Sequence, residues 1–198
     1  MDQHIAIVIE NTYKTPLTHP GYLEPHGCLV YIDDEGIVQV WDNNDSPNAA
    51  HQELARIFDI DPDNINFNVN YVGGSFGGKS TGIMVPLTYA FAKKTGLPVK
   101  WASDYDEEFQ NMTMRHPATM RVKAGVKNDG TITAWESEIH FAGGAYAGYA
   151  PLPAITGILS IVGPYDIAHV RVNSHQVYTN TSPCTYVRSP GHPQAHFA

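Results

Sequence analysis

The segment Gly73-Gly74-Ser75-Phe76-Gly77-Gly78-Lys79-Ser80 is the most informative part of this chain. It satisfies the pattern G-x-x-x-x-G-K-[ST] of a phosphate-binding P-loop. In a P-loop the backbone N–H groups and the following helix surround the phosphates, and the lysine reaches their oxygens. Four glycines in one loop also suit a sharp turn from a strand into a helix that binds nothing. The flanking sequence has to decide between these interpretations.

The strand predicted just before the loop argues against a P-loop. Residues 65–71 alternate apolar side chains with Asn66, Asn68 and Asn70, which predicts a strand with one polar face. A P-loop strand lies inside a parallel sheet that is covered on both faces, so it is continuously apolar. A P-loop protein also needs a second apolar strand that ends in aspartate. The later apolar run at 161–166 ends in aspartate but is interrupted by Gly-Pro. Nucleotide hydrolysis is therefore the least favoured hypothesis.

Composition bounds the class of protein. The chain has 198 residues, 42% of them hydrophobic, and a net charge of −8, which suits one folded domain over 1–198 with no clear internal linker. The acidic balance disfavours nucleic acid and anionic membranes as partners. No apolar run of about 18 residues and no signal peptide is recognisable, so a cytoplasmic location is expected. The two cysteines, Cys28 and Cys184, form no CxxC motif and cannot hold an iron–sulfur cluster alone.

Alternation and turn residues predict an α+β fold, with mixed and antiparallel sheets and two or three packed helices. Strands are predicted over 5–10, 28–32, 37–41, 65–71, 99–102, 119–126, 131–141 and 170–177, and helices over 49–58, 84–94 and 104–110. Helix 84–94 is apolar on most faces, which predicts that it is buried. The acidic run 104–108 predicts a solvated helix start, where carboxylates favour the helix dipole.

Five further motifs accompany the glycine loop. They are Tyr-Leu-Glu-Pro-His at 22–26, Lys-Thr-Gly-Leu-Pro-Val-Lys at 94–100, Arg-His-Pro at 115–117, Gly-Gly-Ala-Tyr-Ala at 143–147 and Tyr-Val-Arg-Ser-Pro-Gly-His-Pro-Gln at 186–194. In this order and at these separations, the chain from about 9 to 198 resembles the molybdopterin-binding region of the xanthine dehydrogenase and aldehyde oxidase family, the molybdenum hydroxylases.

The resemblance implies a cofactor, a reaction and partners. The cofactor is molybdenum held by molybdopterin, in some members as the cytosine dinucleotide form. The reaction is hydroxylation of an N-heterocycle or an aldehyde, a small-molecule substrate, with oxygen derived from water. The implied partners are the remaining domains of the molybdenum subunit, together with iron–sulfur and flavin (FAD) subunits or domains. The alternative is a non-catalytic module that assembles with such subunits.

The resemblance also implies which residues contact the cofactor. These are Gly74, Ser75, Phe76, Gly77, Gly78 and Arg188, with Phe76 and Gly77 nearest the metal. Glycines let backbone N–H groups approach a ligand without clashes at Cβ. Residues 144–146 are expected against the cofactor as well. No side chain of this chain is predicted to ligate a metal: His192 and His196 are spaced i, i+4 but lack the glutamate of HExxH, and His19, His26 and His116 are expected in loops or the core.

Departures from the family pattern limit the prediction. Side chains that purine-oxidising members use at the metal or the substrate correspond here to Thr18, Ser80, Thr156 and Pro190, so a xanthine-type substrate is not supported. The family's general-base glutamate lies in a Gly-x-Gly-Glu segment that these 198 residues do not contain, so no catalytic residue is assigned. Glu24 is expected to be structural. We therefore expect the isolated chain to be a partial domain without activity.

Overall fold

The computed structural model describes residues 5–146 and 152–198. In chain order its elements are β1 (Ile7–Thr15), β2 (Gly27–Ile32), β3 (Val38–Asp42), α1 (Pro47–Phe58), β4 (Ile65–Asn68), α2 (Val85–Thr95), β5 (Val99–Ala102), α3 (Tyr105–Asn111), β6 (Ala118–Val126), β7 (Ile132–Ala142), α4 (Leu152–Ser160), β8 (His169–Val177) and α5 (His192–His196). The chain divides into two compact units, a central unit, His19–Thr113, and a terminal unit, Met1–Thr18 with Met114–Ala198.

The central unit is built on a mixed sheet of strand order β4-β3-β2-β5. Strands β2 and β3 form the predicted antiparallel hairpin, with Gly36 at a φ of 84° in the turn. Strand β4 pairs with β3 in parallel at the sheet edge, and β5 pairs with β2 antiparallel. The core of this unit contains Val30 and Val40 of the sheet and Leu54 of α1, all fully buried.

Helix α2 has the predicted start and stop signals. A proline occupies its first turn, where the missing N–H costs nothing, and Gly96 ends it in the left-handed conformation at a φ of 68°. Its burial differs from the prediction: Val85 and Tyr89 face the core, while Leu87 and Phe91 are each 47% exposed. Only one stripe of this helix is therefore covered within the central unit.

Helix α3 begins at a complete capping box, in which Asp104 and Glu107 each accept a hydrogen bond from the other's backbone N–H. The expectation that the acidic run 104–108 is wholly solvated is wrong for Glu108. Its side chain is fully buried. The burial is compensated by hydrogen bonds that it accepts from residues more than 80 positions earlier in the chain.

The terminal unit contains a second mixed sheet, of order β1-β6-β7-β8. Strands β1, β6 and β7 are antiparallel, and β8 joins β7 in parallel. One face of β6 and β7 packs against α4 and α5 through a core that includes Met120, Ile139, Phe141 and Ala195. Gly157 of α4 lies so close to Phe141 that a Cβ there would come within 2.9 Å of the ring.

The predicted α+β class with mixed sheets is confirmed. The structure adds helices α4 and α5, which the Gly- and Pro-containing sequence did not indicate, and it ends β4 at Asn68 rather than at 71. Strand β1 runs on to Thr15, well past the predicted end. Across the described ranges, every helix is too short or too polar to cross a bilayer.

Candidate functional site

The backbone of the glycine loop is held in an unusual conformation. Gly74 and Gly77 have φ angles of 94° and 88°, which favour glycine, but Phe76 between them has a φ of 54°. A left-handed conformation costs a residue with a side chain about 1 kcal/mol or more. The Phe76 ring is 48% exposed, so burial of the ring does not offset this cost. The surrounding groups must therefore impose the loop conformation.

An ion pair anchors the two ends of the loop. Glu24 accepts hydrogen bonds from the Gly73 N–H at 2.7 Å and from Lys79 Nζ at 2.8 Å, and its own N–H donates to the Gly73 carbonyl. Burial opposes ionisation of Glu24, but the hydrogen bonds from Lys79 and Gly73 outweigh it and hold its pKa below the ordinary value. This confirms the structural role expected for Glu24.

Ser75 ties the middle of the loop to a neighbouring segment. Its hydroxyl donates to Asp45 and accepts from the N–H groups of Gly77, at 3.2 Å, and Lys79, at 3.1 Å. The Gly78 N–H donates to the Ser75 carbonyl, which closes a tight turn. The Ser75 side chain is thus directed inward and only its backbone N–H remains available to a ligand.

The four glycines serve two different purposes. Gly74 and Gly77 supply positive φ angles, whereas Gly73 and Gly78 leave room for packing. A Cβ at Gly73 would lie 2.5 Å from Glu24 Cβ, and one at Gly78 would lie 2.6 Å from the ring of Tyr22. Any larger residue at either position would displace the loop from its support.

Tyr22 links the loop to a buried carboxylate. Its ring lies 4.9 Å from Lys79 Nζ in a cation–π contact, and its hydroxyl donates to Glu108 at 2.5 Å. Glu108 also accepts from the His26 N–H at 2.5 Å and lies 3.6 Å from His19 Nε2. Burial works against ionisation, yet the hydrogen bonds from His26 and Tyr22 lower the pKa of Glu108 to about 2. His19 and His26 are core histidines, as expected.

The loop also carries backbone N–H groups that are not paired within the described structure. The backbone N–H groups of Gly74, Ser75 and Phe76 have no acceptor among residues 5–146 and 152–198. Consecutive unpaired N–H groups beside positive φ angles are the kind of donor set that binds anionic oxygens. A Cβ at Gly74 would lie 3.2 Å from Tyr22 Cβ, so a side chain there would press against the support of the loop.

Arg188 belongs to the terminal unit. Its side chain is exposed and pairs with no carboxylate in the described part of the chain, while its carbonyl accepts from Arg115 at 2.9 Å. The bend continues through Ser189 and Gly191, at φ angles of 57° and 83°. The Thr156 hydroxyl donates to the Pro190 carbonyl, so two positions where this chain departs from the family pattern are in direct contact.

The segment 144–146 is also in the terminal unit. Gly144 has a φ of 77° and packs directly against the backbone of Ser182, so no side chain fits there. Tyr146 has a φ of 63° and is 82% exposed. Ala147, the last residue of this motif, lies outside the described residues. Of the site residues predicted from the sequence, Gly74 to Gly78 therefore lie together in the central unit, and Arg188 and 144–146 lie in the terminal unit.

The whole chain matches a known domain model. Residues 2–198 fit the family described as a molybdopterin cofactor-binding domain. This chain belongs to that family. It is 33% identical, over 96% of its length, to 44% of the nicotinate dehydrogenase large molybdopterin subunit of Eubacterium barkeri. It is 31% identical, again over 96% of its length, to 26% of a probable xanthine dehydrogenase subunit of Bacillus subtilis. The chain thus spans less than half the length of these relatives.

Solved structures agree with this assignment. The aldehyde oxidoreductase from Desulfovibrio gigas superposes with a TM-score of 0.88 at 27% identity, over 98% of this chain and 21% of that one. Quinoline 2-oxidoreductase from Pseudomonas putida 86, at 24% identity, shares the fold at a TM-score of 0.87, over 94% of this chain and 24% of that one. The molybdenum hydroxylase resemblance read from the motifs is therefore confirmed.

The geometry of this molybdopterin-binding domain rules out a P-loop at 73–80. Lys79 is fully buried and its ammonium group is bound to Glu24. The next helix begins only at Val85, so the loop does not lead directly into a helix N-terminus. Strand β4 ends at Asn68 on the sheet edge. A P-loop binds phosphate with a helix N-terminus and with a lysine that is free to contact the ligand. This loop has neither.

Two features of the site were not found from the sequence. Glu108 was assigned to a solvated helix start, and no ion pair was predicted for Lys79. Spacing within the helix did not set Glu108 apart from its acidic neighbours, because the groups that accompany its burial lie more than 80 positions away.

Proposed function

We propose that this domain encloses the molybdenum–molybdopterin cofactor of an oxidoreductase that hydroxylates an N-heterocycle or an aldehyde with water-derived oxygen. The observation that carries the proposal is the row of N–H groups from Gly74 to Phe76, which find no acceptor in the described part of the chain, on a strained, firmly anchored loop. When bound, the cofactor supplies the redox chemistry, and the protein supplies position and electrostatics. Two relatives, a nicotinate dehydrogenase and an aldehyde oxidoreductase, are named for substrates of these two classes.

Each predicted contact residue has a distinct task in this proposal. The N–H groups of Gly74, Ser75 and Phe76 donate hydrogen bonds to the anionic oxygens of the cofactor. Gly77 and Gly78 keep the loop narrow enough for close approach. The Arg188 guanidinium, which is always charged, provides a cation for the anionic group. Because these donors are fixed before the ligand arrives, they need no reorganisation on binding.

The substrate region is proposed to differ from that of purine-oxidising members. Thr156 and Pro190 occupy the positions where those members carry an arginine and a phenylalanine. The Thr156 hydroxyl already donates to the Pro190 carbonyl, so it is not free to recognise a purine oxygen. A small substrate without purine carbonyl groups fits this arrangement better.

The active enzyme is proposed to be an assembly. We expect this domain to act together with further molybdenum-binding domains and with iron–sulfur and flavin components, and to be inactive as an isolated chain. The support is chemical: the carboxylates bonded to the loop in the described residues are committed to it, Glu24 to Gly73 and Lys79 and Asp45 to Ser75, rather than free to act as a base. The cytosine dinucleotide form of the cofactor and the cytoplasmic location remain predictions.

The test compares two glycines with similar φ angles in the assembled enzyme. Gly74, at 94°, lies in the loop, and Gly130, at 88°, lies in an exposed hairpin turn with open space around it. We expect Gly74→Ala to lower the molybdenum content, measured by elemental analysis, by about tenfold or more. Gly130→Ala should leave it unchanged, because the strain is similar but no ligand is near.

Arg188→Gln is the second variant and should also lower the molybdenum content. Equal molybdenum content in all variants would contradict the proposed contacts. A stable wild-type assembly that contains no molybdenum would instead support the alternative of a non-catalytic assembly module.

A further inference from the structure

Three ligand-type side chains meet on the exposed face of the terminal sheet. Glu138 and His140 are two residues apart on β7, so their side chains are on the same face. The parallel register of β7 and β8 pairs His140 with His175. A register shift of one residue would move His175 to the opposite face. The strand pairing therefore determines this cluster, which is formed by residues far apart in the sequence.

The distances in the cluster suit metal coordination better than hydrogen bonding. Glu138 Oε1 lies 3.4 Å from His175 Nε2 and 3.8 Å from His140 Nε2, too far for good hydrogen bonds. The donor atoms of the three residues all lie within 4.8 Å of one another. Two ligands on a tetrahedral zinc ion are separated by about 3.4 Å. Small rotations of these side chains would therefore bring all three ligand atoms around one ion.

The two imidazole rings are already arranged side by side. Their centroids are 4.8 Å apart and their planes are inclined by 16°. Each of the three side chains is a little under half exposed, so an ion can enter from solvent without any change in the backbone. Neutral imidazole nitrogen and a carboxylate oxygen are the ligands that zinc and similar ions take in proteins.

The neighbouring arginines form their ion pairs with other glutamates, and Glu138 contributes only a longer-range attraction to Arg121. Arg121, directly across on β6, is bound to Glu10 at 2.5 Å, and Arg171 on β8 lies 3.9 Å from Glu136. Within the described residues, the ion-pair partners of Glu138 are His140 and His175 alone. The two histidines and Glu138 are each partly open to solvent, so water can complete the coordination of an ion.

We propose that Glu138, His140 and His175 form a site for one divalent transition-metal ion of the zinc type, open to a further water ligand. The site would join β8, the edge strand of its sheet, to β7. It shares no residue with the glycine loop, and the proposal does not depend on the molybdenum cofactor. The local sequence around these three residues predicted no metal ligand.

The test is a titration of the metal-free 198-residue chain with Zn²⁺, followed by calorimetry. We expect one Zn²⁺ per chain. His175→Ala and Glu138→Gln should each weaken binding by about tenfold or more, because each removes one of three ligands. The matched control is His169→Ala, an exposed histidine on the same strand outside the cluster, which should bind as the wild type does.

Co²⁺ provides an independent spectroscopic measurement. Its visible absorption is intense when the ion is four-coordinate and weak when it is hexahydrated, so the wild type should develop an intense band that His175→Ala lacks. Circular dichroism of each variant establishes that it is folded. Absence of saturable one-to-one binding would overturn the proposal. So would equal affinity in His175→Ala and the wild type, or a loss of affinity as large in His169→Ala.

Discussion

The glycine loop at 73–78 and the bend at 188–191 are both tight turns with positive φ angles, but different kinds of groups hold them. Carboxylate groups fix the loop: Glu24 pairs with Lys79, Asp45 accepts from Ser75, and Glu108 accepts from Tyr22, whose ring lies against Lys79. Donors to backbone carbonyls fix the bend: the Thr156 hydroxyl donates to Pro190 and the Arg115 guanidinium donates to Arg188.

This difference has consequences for stability. Buried carboxylates that accept several hydrogen bonds are costly to disturb singly, because each partner left behind loses its own compensation. A neutral hydrogen bond to a carbonyl contributes less, and its loss is easier to accommodate. We therefore expect the central unit to respond strongly to charge removal, and the terminal unit to respond weakly to the loss of a single hydroxyl.

The largest effect is expected for Glu108→Ala. This change removes the acceptor of the His26 N–H and leaves the Tyr22 hydroxyl with its longer contact to His26 Nδ1, which should lower the free energy of unfolding by about 3–5 kcal/mol. Urea denaturation, with hydrogen exchange over 19–113, measures it. The control is Asp106→Ala on the exposed side of the same helix, expected to change stability by less than about 0.5 kcal/mol. Equal effects would show that the buried charge does not stabilise this unit.

Protonation of Glu108 should lower the stability of the fold in a defined range of pH. Its pKa is about 2 in the folded protein and 4.5 ordinarily, so the unfolded chain takes up a proton first as the pH falls. The contribution of Glu108 is thus complete above pH 4.5 and lost between 4.5 and about 2. Glu108→Gln should flatten the dependence of melting temperature on pH in that range. An unchanged slope would contradict the assignment of an ionised carboxylate.

His116 of the terminal unit should make the stability of the fold depend on pH in a higher range than Glu108 does. Burial, reinforced by the charge of Arg115, lowers its pKa from 6.5 to about 4, so the folded protein keeps this imidazole neutral while the unfolded chain becomes protonated. Stability should fall as the pH drops from 6.5 to about 4. His116→Gln should reduce the slope of melting temperature against pH in this range. His169→Gln, at an exposed position, should retain the wild-type slope, and a similar reduction there would refute the prediction.

The smallest effect is expected for Thr156→Val, a change that preserves shape and removes the donor to Pro190. One neutral hydrogen bond is lost, so the free energy of unfolding should fall by about 1 kcal/mol. Thr119→Val on β6 serves as the control and should have little effect. Urea denaturation of both variants gives the comparison. A loss from Thr156→Val as large as that from Glu108→Ala would remove the distinction between the loop, which carboxylates hold, and the bend, which is held through its carbonyls.

Local sequence signals predicted much of this protein. The two hairpins, the ends of α2 and the position of the glycine loop depend on turn glycines, proline and alternation within a few residues, and all are present in the structure. The family was also recognisable, because its motifs keep their order along the chain. Helices α4 and α5 were missed because their glycine and prolines disfavour helices in isolation, and only packing against the sheet stabilises them.

Contacts between distant residues decided the remainder. Glu108 and Lys79 look solvent-exposed in their local sequence, yet they are buried by partners 86 and 55 positions away. Their burial is favourable only because those partners supply opposite charge and hydrogen bonds, a condition that no short window of sequence contains. In the same way, the register of β7 and β8 brings Glu138, His140 and His175 together, whereas the sequence by itself determines only that each lies on a strand.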